Sequence, residues 1–460
     1  MTHCTRGTFL ALLCASALPL LGGCKTAPSN DQPTTVTIWH VYGAQTDSPL
    51  NDLIDEFNAT VGREEGVRVE VTMVSNNNNI HKDILAAANG EPGAPQLPDI
   101  FVAYPKTVLA MPDESVLVDY RDHLGQGKLD TFVPAFLEDG TANGRLVSLP
   151  VAKSTELLFV NKTAFDRFAA ATGARLEDLQ TWEGLWEIAC AYTAWANKQD
   201  FASKHGEQTF FVHDFHFNYF QVGVESLGER FFEGEKIAFG PSFEYAWRPY
   251  AKAAISGALW LQGGYATEPL RTGETIAAVA SSASVLYFSN EVIYADNTSE
   301  TIEIVALPCP VFEDGERLVM QRGAGMCTVD STPERVQAAL RFLSWLTEPE
   351  HNTEFAVATG YMPVTAEAFE GRLEQAIGSL AEQMYVEVYR AFLETQREYA
   401  FYTAPQFGSY LATETAFEDA VRRHLLAAHK AYVEAGGDDP RLLDRLVEDA
   451  LAELREAIGG

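Results

Sequence analysis

The chain has 460 residues, a formal net charge of −31 at pH 7, and ordinary fractions of hydrophobic (47%) and charged (21%) residues. These fractions exclude gross disorder, and the length exceeds what one hydrophobic core usually supports, so two cores are expected. The acidic charge argues against binding to nucleic acid or to anionic lipid headgroups, because no basic cluster offsets it locally.

The first 23 residues have the pattern of an export signal. Arg6 precedes an almost unbroken apolar run over residues 8–21, which is too short to cross a bilayer comfortably. The run ends in Leu21-Gly22-Gly23-Cys24, which resembles the lipobox of bacterial lipoproteins. We therefore predict that residues 1–23 are a lipoprotein signal peptide and that Cys24 carries a lipid. The mature protein would then lie outside the cytoplasm, anchored to the cell membrane. A plain secretory signal is the alternative.

Residues 24–34 are polar and contain two prolines, which predicts a flexible tether between the lipid and the fold. Beyond the signal and the anchor, three cysteines remain: Cys190, Cys309 and Cys327. This odd number argues against a disulfide framework. Cys309 and Cys327 flank a predicted hairpin, and both a disulfide between them and two buried thiols stay open.

The first folded unit alternates strands and helices from Thr35 onward. Val36 and Ile38 alternate with threonines as in a strand, and Ser48-Pro49 supply the cap and the first residue of a helix. The predicted elements that follow are strands over 67–73 and 98–102 and a helix over 80–89. The order strand, helix, strand, helix, strand predicts a parallel sheet covered by helices.

A second unit begins near Gly144. Its predicted strands lie at 146–149, 156–160 and 276–280, and its predicted helices at 161–172 and 182–196, from 333, and from 440. The helix over 182–196 has several apolar faces, which predicts that it is buried. The two units together predict an α/β fold with a parallel sheet in each unit.

Seven segments can be compared with known families: residues 37–40, 53–58, 144–150, 153–162, 181–183, 342–346 and 359–364. In their order along the chain, these segments resemble the extracellular solute-binding proteins of ABC importers, carbohydrate-type family (family 1). The resemblance spans nearly the whole mature chain, and within the family it is nearest to the glycerol-3-phosphate-binding members.

The resemblance implies a periplasmic-binding-protein-like fold of two α/β lobes, joined by hinge strands around an interlobe ligand cleft. We expect residues 35–150 plus 283–335 to form the first lobe, and 151–282 plus 336–460 to form the second. It also implies a small-molecule solute (a sugar, a polyol or its phosphate) and the transmembrane subunits of an ABC permease as partners. We expect the chain to be a monomer with no cofactor, no metal, no nucleic-acid partner and no catalytic activity.

Candidate ligand-binding residues lie in the loops after strands, where sheets of this type bind ligands. Matching segments of the family add Lys153 and its neighbours and the turn at Arg322. The candidates are His40, Tyr42, Asn76, Asn77, Tyr104, Lys153, Ser154, Thr155, Ser281, Ser282, Ser284, Arg322, Gly323 and Tyr361. For some of them a structural role is the alternative: helix capping by the serines, a core position for Tyr361, a solvated Lys153, and an Arg322 paired with Asp314 or Glu316.

The chain departs from the family pattern where phosphate-binding relatives hold the anion. Residues 401–408 contain no Arg or Lys, and the aromatic residue expected near 213–215 is not a tryptophan. Lys153 and Arg322 could replace the missing cation, because both side chains hydrogen-bond phosphate strongly. Equally, the ligand could be a neutral oligosaccharide. We expect a carbohydrate or polyol derivative, with its phosphorylation left open.

Three rival functions stay open at this point. A lipid-anchored glycan-active enzyme would need a placed pair of carboxylates, and none stands out in the sequence. A metal-binding lipoprotein could use His213, Asp214 and His216, which are suitable zinc or manganese ligands. A surface adhesin or scaffold could keep the fold without the cleft chemistry.

Overall fold

The structure is a computed structural model that describes residues 32–43, 48–76 and 79–459. The predicted signal peptide, Cys24, most of the tether and Asn77 lie outside the described residues. Within the described residues, no helix combines the length and the apolar character needed to cross a bilayer.

The strands are short, apart from the first two and the central strand of the second sheet. In chain order they are β1 (Thr34–His40), β2 (Val67–Val74), β3 (Ile100–Ala103), β4 (Thr141–Ala142), β5 (Arg145–Leu146), β6 (Leu149–Pro150), β7 (Ser154–Asn161), β8 (Phe211–His213), β9 (Phe232–Glu233), β10 (Lys236–Ile237), β11 (Ala277–Ser281), β12 (Glu291–Ile293), β13 (Ser299–Thr301), β14 (Ile304–Pro308), β15 (Leu318–Arg322), β16 (Gly325–Thr328) and β17 (Ala400–Tyr402).

The helices cover both sheets and make up most of the C-terminal third. They are α1 (Pro49–Ala59), α2 (Val61–Glu65), α3 (Ile80–Ala88), α4 (Pro105–Leu109), α5 (Tyr120–His123), α6 (Gln126–Leu129), α7 (Pro134–Asp139), α8 (Lys162–Thr172), α9 (Trp182–Ala196), α10 (Asp200–His205), α11 (His216–Ser226), α12 (Pro241–Ile255), α13 (Thr267–Thr272), α14 (Pro333–Leu346), α15 (Pro349–Thr359), α16 (Leu373–Ile377), α17 (Gln383–Glu398), α18 (Tyr410–Glu434) and α19 (Pro440–Gly459).

The first lobe is built on a sheet with strand order β2-β1-β3-β16-β6. β1 pairs in parallel with β2 and β3, which confirms the predicted parallel unit, whereas β16 joins antiparallel. Helix α1 begins as predicted, with Ser48 capping the backbone N–H of Asn51 and proline at its first position. Its buried face, which includes Leu53 and Phe57, packs in the same core as β1.

The second lobe is built on a mixed sheet with order β17-β15-β7-β11-β8, and β14 also pairs with β7. All eight residues of β7 are buried, as expected for a strand covered on both faces. β7 runs antiparallel to β11, β14 and β15, and only the β11–β8 and β15–β17 pairs of this sheet are parallel. The second unit is therefore mixed, where the sequence pattern predicted a parallel sheet.

Three chain segments lie side by side where the lobes meet. The first leads from β6 to β7, the second from β15 to β16, and the third follows α15. Lys153 and Met362 exchange backbone hydrogen bonds of 3.2 and 2.6 Å between the first and third segments. Gly323 has φ +103°, and a Cβ there would lie 2.8 Å from the carbonyl oxygen of Ala152. The close approach of these backbones explains why glycine stands at this crossing.

The lobe boundaries along the chain differ from the predicted ones. β14 pairs with β7 of the second sheet, although residues 283–335 were expected in the first lobe. Helix α14 and Phe355 lie in the first core, although residues 336–460 were expected in the second. The chain returns to the first sheet at β16, and α18 and α19 then pack on the second core, as expected for the C-terminal segment. Strands that pair across such long stretches of sequence have no local sequence pattern that shows which sheet they join, so the lobe boundaries could not be predicted.

The three described cysteines are free thiols. Cys309 is buried in the core of the second lobe and Cys327 in the core of the first. The open choice between a disulfide and two buried thiols is therefore settled in favour of thiols.

Candidate ligand-binding cleft

A cleft between the lobes divides into two compartments that share Phe215 and Arg322. The compartment beside the last long helices, here called the α18 compartment, is lined by His81, Tyr104, Pro105, Lys106, Leu109, Asp139, Phe215, Asn218, Met320, Gln321, Arg322, Gly323, Ala404, Pro405, Gln406, Tyr410 and Glu414. The other, here called the tyrosine compartment, is lined by Val41, Tyr42, Gly43, Ser75, Asn76, Asp214, Phe215, Tyr265, Thr267, Glu268, Arg271, Ser281, Ala283, Ser284, Leu286, Tyr287, Arg322 and Tyr361.

Strand ends deliver much of this lining, as the sequence predicts. Tyr42 follows β1, Asn76 follows β2, and Tyr104 follows β3 as the residue before α4. From the opposite lobe, Asp214 and Phe215 follow β8, and Ser281 ends β11. The carboxyl ends of neighbouring parallel strands meet at one edge of a sheet, so these side chains converge on the cleft.

Arg322 lies at the junction of the two compartments and is 17% exposed. Its guanidinium lies 3.3 Å from Glu156 Oε1 and 3.6 Å from Asp214 Oδ2, and 4.7 Å above the centre of the Phe215 ring. The suggested partners Asp314 and Glu316 are wrong: the pairing is with carboxylates that are distant in sequence. Burial raises the pKa of Glu156, and the neighbouring guanidinium opposes that shift. Two carboxylates on one guanidinium leave no net positive charge for a ligand.

Lys153 is buried under the crossing segments, with its side chain 2% exposed. Its ammonium pairs with Asp139 and donates to the carbonyl oxygen of Gly323 at 3.4 Å. The side chain lines neither compartment. The structure therefore supports neither a solvated Lys153 nor a Lys153 that binds an anion in the cleft. The contacts of the side chain instead support the crossing segments at the hinge.

Several other predicted site residues also stand behind the cleft wall. His40 Nε2 contacts Asn51 Oδ1 at 2.8 Å, and burial lowers the pKa of the imidazole. Thr155 donates its hydroxyl to the carbonyl oxygen of Met320 at 3.1 Å. Ser154 and Ser282 are buried as well, and none of these side chains lines either compartment. They support the residues that do.

The serines after β11 divide between the cleft wall and its backing. Ser281 accepts from the backbone N–H of Ala283 at 3.3 Å, which caps the 3-10 helix at Ser282–Tyr287. Ser281 and Ser284 also line the tyrosine compartment. Capping and exposure to the cleft therefore coexist at Ser281.

Tyr42 and Tyr361 form an aromatic wall on the first-lobe side of the tyrosine compartment. Their rings meet edge to face at 5.4 Å, and Phe355 packs against Tyr42 at 5.0 Å. The Tyr42 hydroxyl is buried without a hydrogen-bond partner among the described residues. Burial raises the pKa of Tyr361 far above its ordinary value, so its phenol stays neutral. Tyr361 is thus nearly buried and also lines the tyrosine compartment.

Most of the cleft lining was not among the residues predicted from the sequence, and much of it lies on helices and late loops. The missed residues with polar or aromatic side chains include His81, Lys106, Asn218, Tyr265, Glu268, Arg271, Tyr287, Gln406, Tyr410 and Glu414. Lys106 lies two residues after a strand-end tyrosine, so a wider window at that strand end would have included it. For Tyr410 and Glu414, at the start of α18, the sequence carries no comparable signal.

The charges around the cleft nearly balance. Among the described residues, three cations and four carboxylates line the compartments: Lys106, Arg271, Arg322, Asp139, Asp214, Glu268 and Glu414. Directly behind them, Lys153 pairs with Asp139 and Glu156 pairs with Arg322. Burial and the nearby Lys106 lower the pKa of His81 to about 3, so this cleft histidine is neutral at physiological pH. The wall thus offers many hydrogen-bonding groups and no positive field.

The histidines suggested as metal ligands are part of an aromatic core. His216 Nδ1 hydrogen-bonds the hydroxyl of Tyr250, and burial lowers the pKa of His213 to about 3. Among the described residues, the group with metal-like donor spacing is instead Glu56, His351 and Glu354, away from the cleft lining. The two carboxylates there are exposed, and such groups are common without a bound ion.

Solved structures with this two-lobed fold include several binding proteins. A cyclic α-maltosyl-1,6-maltose binding protein from Arthrobacter globiformis is 21% identical, with a TM-score of 0.64 over 93% of this chain and 100% of its own. UgpB from Mycobacterium tuberculosis, in complex with glycerophosphocholine, is 18% identical, with a TM-score of 0.66 over 92% and 98%. Maltose-bound MalE3 from T. maritima is 17% identical, with a TM-score of 0.64 over 93% and 99%. These likenesses show that the chain has the two-lobed fold of those structures.

The sequence profile of the bacterial extracellular solute-binding proteins matches residues 52–377, which is more than half of the chain. The chain belongs to this family. Its members bind solutes and do not catalyse reactions on them, so the rival enzyme function is excluded. No curated protein matches the sequence at a significant level.

Proposed function

We propose that the protein is the lipid-anchored substrate-binding component of an ABC importer and that its solute is a neutral carbohydrate or polyol derivative. One observation carries the choice of a neutral solute: the cleft is lined by tyrosines, and its buried cations are already paired with carboxylates. The solute would bind between the lobes and be delivered unchanged to a membrane permease.

The chemistry of the lining supports a hydroxyl-rich solute. Tyr42, Tyr265, Tyr287 and Tyr361 face one compartment, while Tyr104 and Tyr410 face the other. Aromatic rings cover the apolar faces of a sugar ring, and phenol, amide and carboxylate groups bond its hydroxyls. Two of the structural relatives are described as binding oligosaccharides of this kind, cyclic maltosyl-maltose and maltose.

A phosphorylated solute, such as glycerol-3-phosphate or a glycerophosphodiester, is the second candidate, because a relative of the same fold binds glycerophosphocholine. Arg322 and Lys153 do not favour it, since each is held by a carboxylate. Lys106 is likewise paired, with Glu414. Of the described cations that line the cleft, this leaves Arg271, which is exposed in the tyrosine compartment beside Glu268 of the same helix. An anion would have to use Arg271 or separate an existing ion pair.

A thermal-shift panel on the full chain tests the proposal. Neutral oligosaccharides and polyols are compared with glycerol-3-phosphate and glycerophosphocholine at equal concentrations. A solute that binds the native state stabilises it and so raises the melting temperature. At a solute concentration of a hundred times Kd, the added free energy of unfolding is about 2.7 kcal/mol. We expect a shift from at least one neutral compound and none from the phosphorylated ones. A shift from a phosphorylated compound that R271A abolishes would overturn the neutral solute.

The lipid anchor is proposed from the sequence alone and has its own test. Cells producing the chain are labelled with radioactive palmitate, and the wild type is compared with C24A. We expect label on the wild type and none on the variant. Label on both, or on neither, would contradict lipidation at Cys24.

A further inference from the structure

Lys106 and Glu414 form an ion pair across the mouth of the α18 compartment. Lys106 lies on α4, which follows β3 of the first lobe, and Glu414 lies in the second turn of α18, which packs on the second core. The two side chains are only 19% and 10% exposed. Because the pair is largely shielded from water, salt screens it less than a surface pair.

This pair differs from the other ion pairs of the described residues in what it connects. The pairs Arg335–Asp99 and Arg341–Glu65 join elements of the first lobe. Arg167–Glu300 joins elements of the second lobe. Lys153–Asp139 lies at the crossing segments, where a hinge motion changes distances least. Lys106–Glu414 joins helices on opposite walls of the cleft, so an opening of the lobes must separate it.

The surroundings of the pair connect it to the cleft contents. Lys106 Nζ lies 5.9 Å from the ring centres of Tyr104 and of Phe215, the residue shared by both compartments. The closed arrangement also has two neutral contacts across the cleft. Gln406 Nε2 donates to the carbonyl oxygen of Asp139 at 3.1 Å, and the Tyr265 hydroxyl donates to Asn76 Oδ1 at 3.4 Å. Of these three contacts, the ion pair is the charged one.

We propose that Lys106 and Glu414 are positioning residues for solute binding, acting as an electrostatic latch that holds the two lobes closed. The latch deepens the proposed function, since it acts on the same cleft. The pair sets the balance between open and closed lobes before any solute enters, and a solute in the cleft adds its contacts to the same closed state. Breaking the pair therefore lowers the apparent affinity, because a smaller fraction of the chains has closed lobes before the solute binds.

Hydrogen–deuterium exchange on the full chain without added solute tests the latch by itself. In K106M, we expect amides of residues 104–110 and 406–414 to exchange about tenfold faster, because the lobes open more often. Amides of β1, in the interior of the first lobe, keep their rates. K162M, which breaks the exposed Lys162–Asp166 pair of helix α8, is the matched control and changes none of these rates.

The charge swap K106E/E414K separates a latch from local damage. An electrostatic latch predicts that the swap restores the slow exchange, whereas both single variants lose it. Unchanged exchange in K106M, or fast exchange that persists in the swapped protein, would overturn the latch. For any solute found by the thermal-shift panel, K106M and E414Q are expected to weaken binding by a similar factor, and their combination no further. The exchange test uses no solute, so its result for the latch stays valid even if the proposed function fails.

Discussion

At the scale of single residues, the cleft shows how burial changes what a charged side chain does. The sequence predicts that Lys153 and Arg322 are ligand-binding cations of the cleft. In the fold, each of them is paired with a carboxylate. Taking a guanidinium out of water is costly unless ion pairs and hydrogen bonds compensate it. Glu156 is buried, and Arg322 is the one cation among the groups that shift its pKa.

We therefore expect R322A to reduce stability more than a typical arginine substitution does. Removal of the guanidinium leaves Glu156 and Asp214 without their cation, and breaking such a buried pair costs about 3 to 5 kcal/mol. R317A is the control, because Arg317, which lies five residues before Arg322 in the chain, forms an exposed pair with Glu398, and exposed pairs contribute about 0 to 1 kcal/mol. Urea denaturation of the two variants gives the comparison. Equal losses would show that Arg322 is not held as the structure indicates.

How far the sequence predicts the site depends on whether the signal is local. Tyr42, Asn76 and Tyr104 were predictable because each follows a strand that the sequence predicts, and the fold brings strand ends together. The partners of Arg322 were not, because Glu156 lies 166 residues away along the chain. His40, the last residue of β1, lies two residues before Tyr42 and points to Asn51 of α1 instead of the cleft. Strand periodicity does not show which residue near the end of a strand faces the ligand.

At the scale of elements, α18 concentrates charge beneath the cleft. Glu414, Glu418 and Arg422 lie one turn apart along it. Glu418 pairs with Arg422 at 2.9 Å and accepts the backbone N–H of Phe217, in the first turn of α11, at 2.7 Å. Burial raises the pKa of Glu418 from its ordinary 4.5 to about 7, against the opposing effects of Arg422 and the backbone donor. This helix therefore carries a carboxyl group that titrates near neutral pH.

The raised pKa of Glu418 predicts a pH-dependent stability. The folded state holds this proton up to about pH 7, whereas the unfolded chain releases it near pH 4.5. Stability from this group is therefore complete below pH 4.5 and is lost as the pH rises to about 7, by about 3 kcal/mol in total. E418Q cannot titrate, so we expect the difference in unfolding free energy between E418Q and the wild type to change across this window. A constant difference from pH 4.5 to 8 would contradict the assignment.

Element boundaries were predictable where caps and periodicity coincide, and lobe membership was not. The start of α1 at Ser48-Pro49 and that of α14 at Thr332-Pro333 agree with the capping pattern. The assignment of β14 depends instead on its pairing with β7, more than a hundred residues earlier. Such pairing is decided by the packing of the whole sheet, and the sequence of β14 by itself fits either lobe.

At the scale of the whole molecule, the three crossing segments and the interlobe contacts belong to one mechanism. The backbone bonds between Lys153 and Met362 lie at the hinge, where they persist through a rotation of the lobes. The Lys106–Glu414 pair lies on the cleft walls, where a rotation breaks it. A solute between the walls adds contacts to both lobes at once and shifts the population toward closure. In the proposed function, a permease would then recognise the loaded form by its shape.

The tyrosine-lined cleft is proposed to bind a neutral, hydroxyl-rich solute. Calorimetric titration of the full chain with the best neutral compound of the panel tests it, comparing wild type, Y361A and Y245A. Tyr245 is 45% exposed and lines neither compartment, so it serves as the control. We predict that one solute binds per chain. In Y361A the affinity should fall about tenfold, because an aromatic contact of about 1.5 kcal/mol is lost. In Y245A the affinity should not change. Binding that survives Y361A unchanged, or tighter binding of a phosphorylated compound, would contradict the claim.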